Sequence, residues 1–368
     1  MADKVTACRG GLLGLAVGDA MGRCVDIKSL EEICQDYGPN GLLGYDLANG
    51  SADVTACTQI AAFVGNGLLL GVSRGRKDLL PYITLSLREW ARNQNFHRDP
   101  EKSHCWVAKP KCLRLHNNRD ARMLDALRFE TLGTPSAPRN TNTGAGAMPA
   151  AVALGLFYDP RRMDRQQLAR LAVQTVALTH GTPEIFLAGA VLALSVADIV
   201  ADPDGSMEEI FRNATETVCA MYGEQFPHPT QMLSARINQA IALSHDPAFR
   251  SRSGIERLGC NTGSACVAGA MYACLTCHGD FDAALITAVN HSGYSAAVGA
   301  LTGALMGARM GADTLPEFYL ESLEVRPYLD ELAHDLALGG VTTGLFDDDW
   351  DHKYMQGLPL GRQQFWDV

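Results

Sequence analysis

Apolar positions along this chain fall at helical spacing, and the strict alternation that marks strands is almost absent. The pattern predicts helices near 7–22, 54–72, 81–93, 164–178, 184–201, 207–222, 230–243, 264–279, 280–289 and 322–338, an all-α fold. Another helix opens after Ser29, an N-cap residue followed by Glu31 and Glu32 in the first turn. Residues 120–132 form a short one. Residues 38–53 read as a loop rich in Gly, Asn and Asp. The polar stretch 94–120, with His97, His104, Trp106 and His116, is expected to run over the surface.

Two glycine-striped segments organise this pattern. Gly299, Gly303, Gly307 and Gly311 recur every four residues, so on a helix they form one flat stripe; Gly10, Gly14, Gly18 and Gly22 repeat the spacing near the other end. Each glycine inside a helix costs about 1 kcal/mol against alanine. Eight of them are explained if the two helices cross at very close range in the middle of one domain. The same spacing marks paired membrane helices, but Asp19 and Arg309 interrupt the apolar runs.

Hydrophobic residues make up 47% of the 368 and charged ones 20%, the balance of a globular chain. A single domain is expected over 1–345, with 346–368 as a peripheral, acidic and aromatic tail. The net charge of -10 argues against a nucleic-acid partner, and the basic run within 108–122 is read as a solvated loop. The N-terminus lacks a secretory pattern and no membrane span is expected, so the reading is cytoplasmic. Eleven cysteines, most in apolar helical surroundings, suit free core residues better than disulfides.

Three motifs in order, Gly-Gly-Leu-Leu-Gly-Leu-Ala-Val-Gly-Asp-Ala-Met-Gly (10–22), Leu-Thr-His-Gly-Thr-Pro-Glu (178–184) and Ala-Val-Asn-His-Ser-Gly-Tyr-Ser-Ala-Ala-Val-Gly-Ala-Leu-Thr-Gly (288–303), resemble the ADP-ribosylglycohydrolase family. The resemblance implies a compact all-α domain that hydrolyses a bond at the anomeric carbon of ADP-ribose. It also implies two Mg2+ ions held by aspartates in a Thr-Asp-Asp-Thr and a Gly-Asp-Ser-Asp-Thr motif. This sequence departs from both. The first reads Thr55-Ala56-Cys57-Thr58 and the second Gly293-Tyr294-Ser295-Ala296-Ala297, so all four aspartates are replaced. Neutral hydroxyls do not offset the dehydration of Mg2+, and no metal or other cofactor is expected.

The surviving acid is Asp26, where the family has a glutamate near the scissile bond; it is read as a general base or ribose ligand, or else as a capping side chain. Asp19 is read as a brace for backbone amides. Asp53, three residues before the lost pair, could slip toward the metal position. Gly144 and Gly146, in a loop opening a helix, are candidates for phosphate contact, although the family's arginine there is Pro149. His291, Ser292, Gly293, Tyr294 and Ser295 complete the candidate ligand contacts; Tyr294 fills vacated space, stacks on a ligand, or packs. His180 is read as structural. Cys274-Leu-Thr-Cys277-His278 has the spacing of covalent haem attachment, and Cys24, Cys57 and His291 are a soft-metal alternative. The expected function is a degenerate family member that binds an ADP-ribose-like molecule or an ADP-ribosylated protein. The alternatives are a metal-independent hydrolase and a partner-binding scaffold.

Overall fold

The computed structural model describes residues 3–47, 50–94, 99–117, 120–249, 252–339 and 348–355. Among them the chain forms seventeen α-helices and no strand. In order these are α1 (Lys4–Arg23), α2 (Leu30–Tyr37), α3 (Ala56–Ser73), α4 (Leu80–Asn93), α5 (Ala121–Leu127) and α6 (Met148–Phe157). Then come α7 (Arg165–Ala177), α8 (Pro183–Ala201), α9 (Met207–Tyr222), α10 (Pro227–His245), α11 (Arg252–Leu258) and α12 (Gly263–Thr276). The chain continues with α13 (Phe281–Val289), α14 (Ser295–Met310), α15 (Glu317–Leu320), α16 (Arg326–Leu338) and α17 (Asp348–Tyr354).

Three glycine pairs of the two stripes meet as the sequence predicts, whereas Gly311 is the C-cap that ends α14 and Ser295 stands where Gly22 would have met a glycine. Helices α1 and α14 cross antiparallel, with Gly10 against Gly307, Gly14 against Gly303, Gly18 against Gly299, and Gly22 against Ser295. A Cβ on Gly14 would lie 2.1 Å from the Gly303 carbonyl oxygen, and one on Gly303 1.9 Å from that of Gly14. No side chain larger than hydrogen fits between these backbones. Around the pair, one continuous apolar cluster runs through α3, α6, α8 and α12. Helices α3 and α8 are long and apolar enough to cross a membrane, but most of each is buried inside the fold. They are apolar on every face because they are surrounded by protein. Asp19 is spent on helix α3, as described below, and the Arg309 guanidinium donates to the Gly205 carbonyl.

Ser29 caps α2 through a full capping box with Glu32. Three segments differ from the sequence reading. The stretch 99–117 is not a surface excursion, because Cys105, Val107, Ala108 and Leu113 are buried. Amide side chains pin it down: Asn66 accepts from the Val107 amide, and Gln59 and Asn93 donate to the carbonyls of Leu115 and Ala108. Helix α11 was not expected; Gly254 lets it lie flat on the Tyr272 ring. Helix α17 is no peripheral tail. Trp350 and Tyr354 are buried, and the Lys353 ammonium bonds Glu331, Asp335 and Asp349. The expected tail boundary at 345/346, the last residues 356–368 and His97 lie outside the described residues.

Candidate functional site

Because α1 and α14 run antiparallel in fixed register, the end of the first lies beside the start of the second. The loop after α1 and the loop before α14 are therefore stitched together. The Ile27 amide donates to the Gly293 carbonyl at 2.9 Å, the Leu30 amide to Ser292 Oγ at 2.8 Å, and the Ala296 amide to Asp26 Oδ1 at 2.9 Å. Gly293 adopts φ 158°, and a Cβ there would stand 2.5 Å from the Cys260 carbonyl oxygen. Asp26 thus sits half-buried at the N-terminus of α14. Burial pushes its carboxyl up to about 6, against the backbone hydrogen bond from Ala296 that lowers it.

Ile27 stands beside it in the left-handed region at φ 59° with 76% of its surface exposed. A β-branched side chain in that conformation is strained, and nothing is gained by packing. Ile27→Gly is expected to raise stability by about 0.5–1 kcal/mol, since glycine keeps the amide bond and loses the clash. A urea midpoint at or below that of the parent protein would show that the loop carries no such strain.

One turn back along α1, Asp19 is fully buried. Its two carboxylate oxygens accept from the Thr55 and Thr58 amides and from both threonine hydroxyls, at 2.6–3.0 Å. It braces the N-terminus of α3, as the sequence reading expected. Burial raises its pKa and the four hydrogen bonds oppose that rise. Asp53, two residues before the Thr55 N-cap of α3, faces Arg23 at 3.7 Å.

Ala56, Cys57, Tyr294, Ala296 and Ala297 lie at the two helix starts. The alanines are buried, Cys57 and Tyr294 are half-buried, and burial raises the thiol pKa well above its usual value. Tyr294 packs on the core and feels the charges of Asp120, Arg122 and Asp26. Ser295 is buried and its hydroxyl donates to the His291 carbonyl at 3.3 Å.

Asp120 is the residue the sequence reading missed. It caps α5 by accepting from the Arg122 and Met123 amides, and its other oxygen takes the Asn142 amide group at 2.8 Å. His180 Nε2 lies 3.4 Å from that oxygen, and His180 Nδ1 pairs with the Thr179 hydroxyl at 2.9 Å, a structural histidine as expected. Burial would raise the Asp120 pKa, but hydrogen bonds from His180 and Asn142 hold it well below the usual carboxylate range. This fixed anion stands 3.3 Å from where a Cβ of Gly144 or Gly146 would be. The Gly144 amide is already used by Asn142. The glycine loop expected to receive a phosphate is therefore faced by a carboxylate.

His291 does not match its expected contact with a ligand. It is wholly buried, and neither ring nitrogen has a hydrogen-bond partner within bonding geometry. Burial lowers its pKa to about 4. Between pH 4 and 6.5 the unfolded chain binds the histidine proton and the folded one does not, so this group makes stability rise with pH. Asp26 acts oppositely: between pH 3.8 and about 6 the folded state holds the extra proton, and stability falls as pH rises. Asp26→Asn is therefore expected to steepen the loss of stability on acidification from pH 6 to 4, by up to about 1.4 kcal/mol per pH unit. Equal slopes in urea melts of the variant and the parent would contradict the assignment.

A model of the ADP-ribosylglycohydrolase family matches residues 2–344. The chain belongs to that family. Its fold is similar to a solved structure described as an ADP-ribosylglycohydrolase-related protein complex, with a TM-score of 0.54 and 21% identity over 93% of this chain and 100% of that one. No curated protein matches.

The Mg2+ pair implied by the ADP-ribosylglycohydrolase resemblance needs hard oxygen ligands. The side chains present do not fit it. Methyl groups, a thiol and a phenol occupy the aspartate positions, and the nearby oxygens of Asp19, Thr55, Thr58 and Ser295 are committed to internal hydrogen bonds. Among the described residues no three His, Cys, Asp or Glu side chains are grouped to hold a metal, so the soft-metal alternative has no support either. The haem pattern is split by the fold: Cys274 is buried on α12 at 2% exposure, whereas Cys277 is half-buried at the helix end and His278 is exposed, so the first cysteine is not accessible for covalent attachment.

Proposed function

We propose that this protein is a degenerate ADP-ribosylglycohydrolase that lacks the dinuclear Mg2+ site and ordinary ADP-ribosyl hydrolysis, and that its cleft serves recognition of an ADP-ribose-like molecule in the cytoplasm. The observation that carries this reading is the contrast at the two helix starts. The backbone scaffold is kept, held by Asp19 and the glycine crossing, while every carboxylate expected to hold metal is gone. The ribosyl end of a ligand suits the remaining groups best. Asp26 accepts hydroxyl hydrogen bonds and the Tyr294 ring offers an apolar face. The fixed charge of Asp120 disfavours a diphosphate beside Gly144 and Gly146.

Calorimetric titration with ADP-ribose, once in EDTA and once with excess Mg2+, tests the reading. The expected result is the same affinity in both. Binding only with Mg2+ would refute it, and so would release of ADP-ribose from a modified peptide that stops in EDTA.

A second reading is favoured by Asp26 alone. A carboxyl raised to about 6 at a helix N-terminus can exchange a proton near neutral pH. It would serve as the general base of a metal-independent hydrolase acting on a ribosyl substrate. Turnover in EDTA that Asp26→Asn abolishes would support this reading; turnover untouched by that change would end it.

A further inference from the structure

At the far end of α3 from the candidate site, the turn after that helix, the end of α6 with the loop that follows it, and one face of α7 line a groove of about 720 Å³. Helix α3 has 18 residues, so the two sites are separated by roughly 27 Å of helix. The rim of the groove carries Arg76, Lys77, Arg162 and Arg170 against one acid, Asp78. Leu79, Phe157 and Leu171 contribute apolar surface below.

The charges decide what this groove suits. Asp78 is occupied, accepting from the Leu80 amide at the start of α4. Arg162 is only 3.9 Å from Asp159, which Arg161 already holds by a closer pair. Arg76, Lys77 and Arg170 enter no ion pair among the described residues. In a chain of net charge -10, four cations around one concavity reverse the local sign. They repel one another across the opening, and an anion seated between them relieves that repulsion. The volume is that of a site for a nucleotide-sized molecule, and the apolar surface would cover a ring or chain.

We propose that this groove binds a soluble organic phosphate, with its anionic end among Arg76, Lys77 and Arg170 and its apolar body against Leu79 and Phe157. The site is independent of the cleft at the other end of α3. ATP is the probe, titrated at low salt in EDTA against the full chain, against Arg76→Ser/Lys77→Ser/Arg170→Ser, and against Tyr294→Ala. All three groove positions are exposed, so the triple variant is expected to fold, which circular dichroism checks.

The expected result is binding that the triple variant weakens at least about ten-fold, that Tyr294→Ala leaves unchanged, and that added salt weakens. Equal binding by the parent and the triple variant would overturn the proposal, as would loss of binding through Tyr294→Ala, which would place the ATP in the other cleft. No binding at about 1 mM ATP would overturn it too, as would capture of anionic phospholipid vesicles without ATP binding.

Discussion

Replacing Gly303 by alanine is expected to leave a protein that does not fold stably at ordinary temperature. The added methyl would sit 1.9 Å from the Gly14 carbonyl oxygen and 2.6 Å from its carbonyl carbon. Both obstacles are backbone, so no rotamer change relieves the contact; the helices must separate. Overpacking a core usually costs about 1–3 kcal/mol when side chains can move. Here the whole α1–α14 seam opens, and the loss is expected to exceed about 4 kcal/mol, a large part of the stability of an ordinary domain. Gly44→Ala is the control, because nothing lies within 4 Å of a Cβ there. Soluble yield and urea midpoint read the difference. A Gly303→Ala protein with the parent's midpoint would mean that the seam is looser than described.

The second large effect belongs to Asp19. Asp19→Ala removes the acceptor of four hydrogen bonds in a fully buried site and leaves two amides and two hydroxyls without partners. Each orphaned buried group costs about 1–3 kcal/mol, and removing one partner of a buried charged network costs about 3–5 kcal/mol. The expected loss is about 4 kcal/mol, with hydrogen exchange at the Thr58 amide rising more than at mid-helix positions such as Leu68. Asp19→Asn keeps one acceptor oxygen and falls between. A loss below about 1 kcal/mol for the alanine variant would show that α3 holds its own start.

The glycine crossing was legible because its cause is written at a fixed spacing: the backbone contact calls for glycine at successive fourth positions on both helices, with Ser295 opposite Gly22 the exception at one end. Asp19 was legible for a similar reason, since a charge in an otherwise apolar helix must find donors. Asp120 was not. Its neighbours are basic residues, and nothing local shows that Asn142 and His180, far along the chain, converge on its free oxygen. Helix α17 was hidden by its acidic start. Trp350, Lys353 and Tyr354 share a face at helical spacing, but the run of aspartates reads as solvated until Lys353 is seen among three carboxylates. His291 misled in the other direction. A histidine beside a glycine loop looks accessible in sequence, whereas the backbone at Gly293 lies close against the His291 ring, where a Cβ would stand 3.1 Å from it.

The antiparallel register of α1 and α14 also sets a timetable. Gly10 and Gly307 are almost 300 residues apart, and a ribosome adds about 5–20 residues per second. For roughly 15–60 seconds the first helix of each nascent chain has no mate for its bare stripe. Only when residue 310 emerges can the seam close, and the loops bearing Asp26 and Tyr294 are joined in that same late step.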